Sequence, residues 1–163
     1  MNKDRKKRRT EIMKAALMAA IYVVVCMVLQ PISFGPIQFR FSEILCLLSI
    51  DHRWALWGAI LGCFLSNTFL GGLGTIDIAF GTLATAAGCI LAHRFREKRI
   101  KGYPILSAMM IVLANAIIIG IELGFIFDTP DLIGLYMIQV GIGEALILSL
   151  GLLIYKQIDR MFR

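Results

Sequence analysis

The sequence predicts an all-α membrane protein, a compact bundle of six transmembrane helices with a short second span. Of its 163 residues, 58% are hydrophobic and only 17% are charged. The apolar residues also come in runs that are too long for a soluble domain of this size. The basic residues, finally, collect on one side of the membrane only if all six runs cross it.

Five apolar runs come close to the roughly 20 residues that a helix needs to cross the hydrocarbon core. They are Ile12–Leu29, Trp54–Leu70, Ile76–Ala92, Ile105–Phe127 and Leu132–Tyr155. The first run follows "KDRKKRR" but is long, lacks a small-residue cleavage pattern and is closed by Gln30-Pro31, so we interpret it as a retained helix rather than a secretory signal. We expect one membrane domain, residues 12–158, between cytoplasmic tails at 1–11 and 159–163.

The sixth run, Phe41–Ile50, is short, because ten residues of α-helix rise only about 15 Å, half the hydrocarbon thickness. Charge decides whether it crosses. With six spans and a cytoplasmic amino terminus, 16 Lys and Arg side chains lie inside and one lies outside, whereas five spans give seven inside and ten outside. The first split follows the positive-inside rule. We therefore expect a span that begins nearer Ile37 or is recessed, with both termini on the cytoplasmic side of a bacterial plasma membrane.

Polar side chains collect in the outer half of the predicted bundle. Ionisable groups are expensive in hydrocarbon and normally face the bundle interior or a wet cavity. Carboxylates outnumber the single outer arginine, so we expect a net acidic cup that opens outward, with Asp128 and Asp131 in an outer loop. The candidate substrate-binding residues are Arg40, Glu43, Asn67, Asp77, Asn115, Glu122, Gln139 and Glu144.

The spacing of these residues suggests which of them share a face. Arg40 and Glu43 are three residues apart, which suits either a simple ion pair at the interface or a contact with a ligand. Asn115 and Glu122 are two helical turns apart, which suggests a common cavity. The two glycines of "QVGIGEALIL" just before Glu144 would allow either close helix packing or room for a flat ligand.

Other kinds of site are not indicated. The four cysteines have no CxxC spacing and are interpreted as buried small hydrophobic residues, while two isolated histidines make a poor metal site. The loop "NTFLGGLGTID" lacks the spacing and the lysine of a phosphate-binding loop. Carboxylates in a cavity suit acid–base chemistry, but no nucleophile–base group accompanies them. We expect no enzyme activity, no cofactor and no nucleic-acid partner, since topology and anionic lipid explain the basic residues.

Small residues on the first span form a possible contact surface for another helix. Ala15 and Ala19, like Ala16 and Ala20, are four residues apart. Such pairs let helices approach closely in membranes.

The motifs "GPIQFRFSE", "GGLGTIDIAFGTLAT", "NAIIIGIE" and "QVGIGEALIL" occur in this order on six short spans. Together they resemble the QueT family, the substrate-binding S components of energy-coupling-factor (ECF) importers assigned to queuosine precursors. The resemblance covers about residues 11 to 155. One departure is the turn "SIDHRWAL", where relatives are more apolar and contain proline, which leaves the geometry of this turn open.

The resemblance implies a six-helix protein that captures a 7-deazaguanine on the outer side. It also implies docking onto a transmembrane scaffold subunit with two ATPases, and it assigns the contact with the scaffold to Ala15, Ala16, Ala19 and Ala20.

Each part of such a ligand can be matched to predicted site residues. One carboxylate, Glu122 or Glu144, could accept two N–H donors from the guanine-like edge. An acidic cup favours the aminomethyl over the cyano form, with Asp77 or Asp128 meeting its cation. The aromatic side chains of Phe39, Phe41 and Phe127 could stack on the base or could equally face lipid.

We further expect "SFGPIQFR" to fold over the mouth as part of a gate, ordered by a pair between Arg40 and Glu43 or another rim carboxylate. Two rival functions remain: a secondary transporter that works without ATP, and an S component for another small molecule or vitamin.

Overall fold

The structure is a computed structural model that describes residues 3–30, 40–71 and 73–162. These residues form five α-helices, α1 (Lys3–Val28), α2 (Arg53–Leu70), α3 (Thr75–Arg94), α4 (Ile105–Ile126) and α5 (Ile133–Phe162), and two 3₁₀ segments, the short helix (Phe41–Ile50) and a turn (Pro130–Leu132). Apart from an isolated bridge between Ile100 and Tyr103, all regular structure in the described ranges is helical. The all-α prediction is therefore confirmed.

The long helices pack in chain order around the short helix. Each of them contacts the next, from α1 through α5, and the short helix lies between α1, α2, α3 and α5. By length and composition, α1, α3, α4 and α5 are apolar enough to cross a membrane, and α2 has 18 residues. The predicted bundle with a short second span is thus present.

The short helix has the predicted bounds but a different conformation. It is a 3₁₀ helix, which rises about 2 Å per residue, so its ten residues cover roughly 20 Å rather than the 15 Å expected of an α-helix. Seven of the ten residues are buried. Of the two arrangements expected, a recessed position is confirmed, while Ile37 lies outside the described residues.

The two predicted tails are not separate from the bundle. Helix α1 begins at Lys3, inside the basic segment, and its 26 residues measure about 39 Å. This happens because Lys, Arg and Glu are good helix formers and no glycine or proline interrupts the segment. Helix α5 continues to Phe162, and Asp159, assigned to the second tail, is buried. Both helices therefore extend beyond residues 12–158, while the limits of the membrane domain stay a prediction.

The turn after the short helix, which the sequence left open, is fixed by polar contacts. Arg99 Nη2 lies 2.6 and 2.8 Å from the two carboxylate oxygens of Asp51, and the Tyr155 hydroxyl also donates to Asp51. The neighbouring His52 lies 2.8 Å from Asp159 of α5. These contacts join the short helix to α5 and to the loop before α4.

Replacing Asp51 by asparagine should destabilise the protein by about 1 kcal/mol at neutral pH, the upper range for an exposed ion pair. Burial opposes ionisation, but the bonds from Tyr155 and Arg99 hold the Asp51 pKa below its usual range. The stabilisation is present above the unfolded pKa of about 4 and is lost as pH falls through the lower folded pKa.

Unfolding temperatures of wild type and Asp51→Asn, compared from pH 7 downward, should therefore converge below about pH 4. Glu97→Gln is the matched control, because among the described residues Glu97 pairs only with its neighbour Arg96, and its side chain is 85% exposed. A difference between wild type and Asp51→Asn that does not change with pH would contradict this account.

The histidines and cysteines have structural surroundings. His93 Nδ1 lies 3.1 and 3.0 Å from the carbonyl oxygens of Ser49 and Ile50, so it caps the end of the short helix. The cysteines are free and buried, as predicted: Cys26, Cys46, Cys63 and Cys89. Within the described residues, no group of three or more His, Cys, Asp or Glu side chains could hold a metal ion.

Helices α4 and α5 approach closely at glycines that sequence reasoning did not single out. A Cβ at Gly120 would lie 2.8 Å from the Met137 nitrogen and 2.9 Å from its Cα, so α5 passes directly over Gly120. A clash with backbone cannot be relieved by turning a side chain. Close packing here brings the carboxylate-bearing parts of α4 and α5 together.

We expect Gly120→Ala to cost about 1–3 kcal/mol, as overpacking does in other cores. Gly134→Ala on α5 is the control, because no atom of another described element lies within 4 Å of a Cβ there. In a helix, that change should be neutral or stabilising by about 0.5–1 kcal/mol. Equal unfolding temperatures for the two variants would show that the close approach is not required.

Candidate functional site

Seven of the eight candidate residues are buried in the described structure: Arg40, Glu43, Asn67, Asp77, Asn115, Glu122 and Glu144. Gln139 is half-buried. Because charged residues are almost never fully buried unless paired, this concentration of charge inside a small bundle is unusual.

Arg40 lies inside the bundle rather than at its rim. The residue is 5% exposed, and its Nη2 is 3.3 Å from Asp77 Oδ1. The sequence predicts a pair with Glu43 or another carboxylate, and the described structure has Arg40 beside Asp77, because α3 carries that carboxylate towards the start of the short helix. Asp77, which was expected to meet a ligand cation at the mouth, is itself 1% exposed and is held in this ion pair.

Asn67 and Gly81 hold Asp77 in place. The Asn67 side chain donates to the Asp77 carbonyl at 3.1 Å and thereby joins α2 to α3. A Cβ at Gly81 would clash with the Asn67 amide nitrogen and would lie 3.4 Å from Arg40 Nη1. Glycine at this position therefore makes room for the ion pair.

Glu43 is bound by two residues that sequence reasoning missed. Its Oε1 accepts hydrogen bonds from the Tyr22 hydroxyl at 2.7 Å and from Thr85 Oγ1 at 3.0 Å. A weak signal existed for Tyr22, which lies three and seven residues after Ala19 and Ala15 and hence on their face of α1. Thr85 has no distinguishing signal, since threonine is ordinary in membrane helices.

Glu122 and Glu144 are the least satisfied members of the cluster. They are 1% and 3% exposed, and Glu122 Oε1 and Oε2 and Glu144 Oε1 have no hydrogen-bond partner among the described residues. Glu122 interacts electrostatically with Asp77 and Arg40, and Glu144 with Glu43 and Arg40. Four carboxylates therefore surround one guanidinium, which we call the acidic cluster: Glu43, Asp77, Glu122 and Glu144.

The profile of the family described as QueT transporter matches residues 12–160. The chain belongs to the QueT family. It is also 30% identical to the queuosine precursor transporter QueT of Lactococcus lactis subsp. cremoris (strain MG1363), over 166 aligned residues that cover 96% of each protein. No solved structure matches the chain.

The QueT match spans every residue of the acidic cluster, all of α2, α3 and α4, and most of α1 and α5. Membership makes this chain a multi-pass membrane protein of a transporter family. That assignment points away from an enzyme.

Not every residue predicted for a QueT site joins the acidic cluster. Asn115 donates to the Ile111 carbonyl of its own helix at 3.2 Å, and the cavity that it was expected to share with Glu122 stays a prediction. Asp128 and Asp131 are exposed in the loop before α5. The Asp128 carboxylate therefore lies at the surface.

The aromatic residues expected to stack on a ligand are only partly described. Phe127 is 53% exposed and packs beside Tyr136 with ring centroids 6.1 Å apart, while Phe41 is half-buried. Phe39 lies outside the described residues, as does most of the loop predicted to act as a gate. The gate stays a prediction.

The four alanines of α1 that are predicted to contact a partner subunit divide into two pairs. Ala19 is buried, and a Cβ at Gly58 would lie 2.8 Å from the Ala15 carbonyl oxygen, so the Ala15–Ala19 row packs against α2 inside the bundle. Ala16 and Ala20 are exposed. Docking through these four alanines stays a prediction.

Proposed function

We propose that this chain is the substrate-capture subunit, or S component, of an ATP-driven ECF importer. In this proposal it binds a queuosine precursor, 7-aminomethyl- or 7-cyano-7-deazaguanine, on the extracellular side. Three observations support it: membership of the QueT family, the queuosine precursor in the name of the Lactococcus relative, and the acidic cluster. The cluster carries most weight because a buried carboxylate without hydrogen-bond donors is costly, and a ligand rich in N–H groups removes that cost.

Glu122 and Glu144 differ in a way that suggests separate roles. Both oxygens of Glu122 lack a partner within the described residues, so this side chain can accept two parallel hydrogen bonds from the guanine-like edge. Glu144 has one such oxygen and suits a single cationic donor. We assign Glu122 to the edge of the base and Glu144 to the aminomethyl group, which the sequence alone assigned to Asp77 or Asp128.

Charge balance supports the aminomethyl ligand. When ionised, the four carboxylates of the acidic cluster exceed the charge of Arg40 by three, and an added ammonium group reduces this excess. The cyano compound carries no charge that could do so. If purified protein bound the cyano compound as tightly as the amine, this preference would be wrong.

The orientation of the chain follows from its basic residues. The end of the bundle that carries α1's Lys and Arg residues, Arg53 and the loop before α4 is placed in the cytoplasm of a bacterial cell. Both termini then lie inside. The exposed Ala16 and Ala20 would meet the transmembrane scaffold subunit, which carries two ATPases.

Calorimetric titration of the purified chain with both deazaguanines, guanine and several vitamins tests the ligand. Vesicle uptake tests the mechanism, since an S component accumulates substrate only with its scaffold, ATPases and ATP. Uptake by vesicles that hold this chain alone would favour the secondary transporter. Tight binding of a vitamin instead of a deazaguanine would leave the S component but change its substrate.

A further inference from the structure

A groove of about 600 Å³ lies between α1 and α2 at the basic end of the bundle, away from the acidic cluster. Two parallel rows of side chains line it, each at a spacing of four residues. Helix α1 contributes Arg8, Ile12 and Ala16, and helix α2 contributes Arg53, Trp57 and Leu61. Residues four apart lie one above the other on a helix, so each row runs along its axis.

The two rows run in the same direction, because both helices begin at the basic end. Gly58 meets the Ala15 carbonyl oxygen. Arg53 therefore lies near the level of Ile12, and Arg8 lies about one turn nearer the end of the bundle. From that end inward, the groove therefore presents one arginine, then a second arginine beside isoleucine, then tryptophan beside alanine, and then leucine. A phospholipid has the same order of chemistry, with a phosphate, an interfacial glycerol ester region and acyl chains.

Charge at the mouth of the groove favours an anion. Arg8 and Arg53 are exposed, and neither makes an ion pair within residues 3–30, 40–71 and 73–162. Glu11 also lines the groove and opposes an anion, but adjoining surfaces add further cations: Arg5, Lys7, Arg9 and Lys14. Trp57 is 65% exposed, and tryptophan is enriched at the level of lipid headgroups.

We propose that this groove binds one anionic phospholipid of the surrounding leaflet. Its phosphate lies between Arg8 and Arg53, and one acyl chain lies over Trp57 and Leu61. Arginine suits this role because its guanidinium matches phosphate oxygens with two parallel hydrogen bonds. Because Ala16 also lines the groove, a protein partner that docks on this alanine would have to displace the lipid.

Both tryptophans of the chain, Trp54 and Trp57, line the groove, so their fluorescence reports on it without a label. The full chain is reconstituted in vesicles of phosphatidylglycerol and phosphatidylcholine at one fixed ratio. Brominated acyl chains, which quench tryptophan on contact, are placed on phosphatidylglycerol in one preparation and on phosphatidylcholine in the other. Because the two arginines attract an anionic headgroup, we expect quenching per mole of brominated lipid to be on the order of 10-fold stronger for phosphatidylglycerol than for phosphatidylcholine.

Variants separate the groove from general surface charge. Arg8→Gln with Arg53→Gln should abolish the preference while both tryptophans remain. The control, Arg94→Gln with Arg160→Gln, removes two exposed cations that do not line the groove and should keep the preference. In wild type, 0.5 M salt should weaken the preference, a measurement that needs no variant.

Three results would overturn the proposal. Equal quenching by the two lipids would show that the groove does not select an anion. Equal loss of preference in both double variants would show that net charge alone attracts the lipid. An absence of quenching by either lipid would leave a protein helix as the occupant. None of these results bears on deazaguanine binding, so the substrate proposal is tested separately.

Discussion

Replacing Glu122 by glutamine is expected to weaken binding of 7-aminomethyl-7-deazaguanine on the order of 100-fold. The change keeps the shape of the side chain but removes its charge and turns one acceptor into an N–H donor. Two charge-assisted hydrogen bonds to the base edge cannot both survive, and a ligand N–H would face another donor. A loss of about 3 kcal/mol, the upper range for a hydrogen bond to a charged group, gives this factor.

The stability of the Glu122→Gln variant should not fall with its affinity for the ligand. Both Glu122 oxygens lack a partner within the described part of the chain, and the carboxylate lies near Asp77 in the acidic cluster. Neutralising it removes a buried charge, so the unfolding temperature without ligand should stay equal or rise. Lower affinity at undiminished stability marks a residue kept for binding rather than for folding.

Asp131→Asn is the control for Glu122→Gln, because Asp131 is an exposed carboxylate outside the acidic cluster. Calorimetry should give wild-type affinity for this control. If Glu122→Gln also bound within about threefold of wild type while Glu144→Gln lost binding, the roles assigned to the two glutamates would be reversed. Wild-type binding by both glutamine variants would remove the acidic cluster from the binding site altogether.

The helices were predictable because membrane insertion depends on properties that are local in sequence. Apolar runs and the sidedness of Lys and Arg place most helix ends within a few residues, apart from the start of α1 and the end of α5, and Phe41–Ile50 has the same limits in both descriptions. The 3₁₀ conformation of this segment was not predictable, since it depends on how deeply the surrounding helices bury it. The sequence predicts a tail for the basic segment because charge indicates exposure, but charge does not exclude a helix, and α1 begins at Lys3.

The site was predictable as a set of residues but not as a set of pairs. Buried ionisable groups in spans stand out in any sequence, which is why Arg40, Glu122 and Glu144 were found. The pairing of Arg40 with Asp77 depends on the close approach at Gly81, which brings α3 against α2. A tyrosine at position 22 suits an interfacial position and the core equally well, so its hydrogen bond to Glu43 is not predictable from the sequence.

Arg40→Met is expected to destabilise the protein by about 3–5 kcal/mol, the usual cost of removing one partner of a buried ion pair. Arg40 is 5% exposed, bonds to Asp77 and interacts with Glu122 and Glu144. Without the guanidinium, these carboxylates repel one another in a medium that screens them poorly. For a chain of this size, the unfolding temperature should fall by roughly 10 °C.

A double variant tests whether the loss comes from the buried charges. Asp77→Asn added to Arg40→Met removes one unpaired carboxylate and should restore about 1–3 kcal/mol, the coupling typical of neighbouring residues. Arg94→Met, at the exposed basic end of α3, should change stability by no more than about 0.5 kcal/mol. If Arg40→Met were as stable as Arg94→Met yet lost ligand binding, Arg40 would contact the ligand directly, and the carboxylates of the acidic cluster would need no cation to remain buried together.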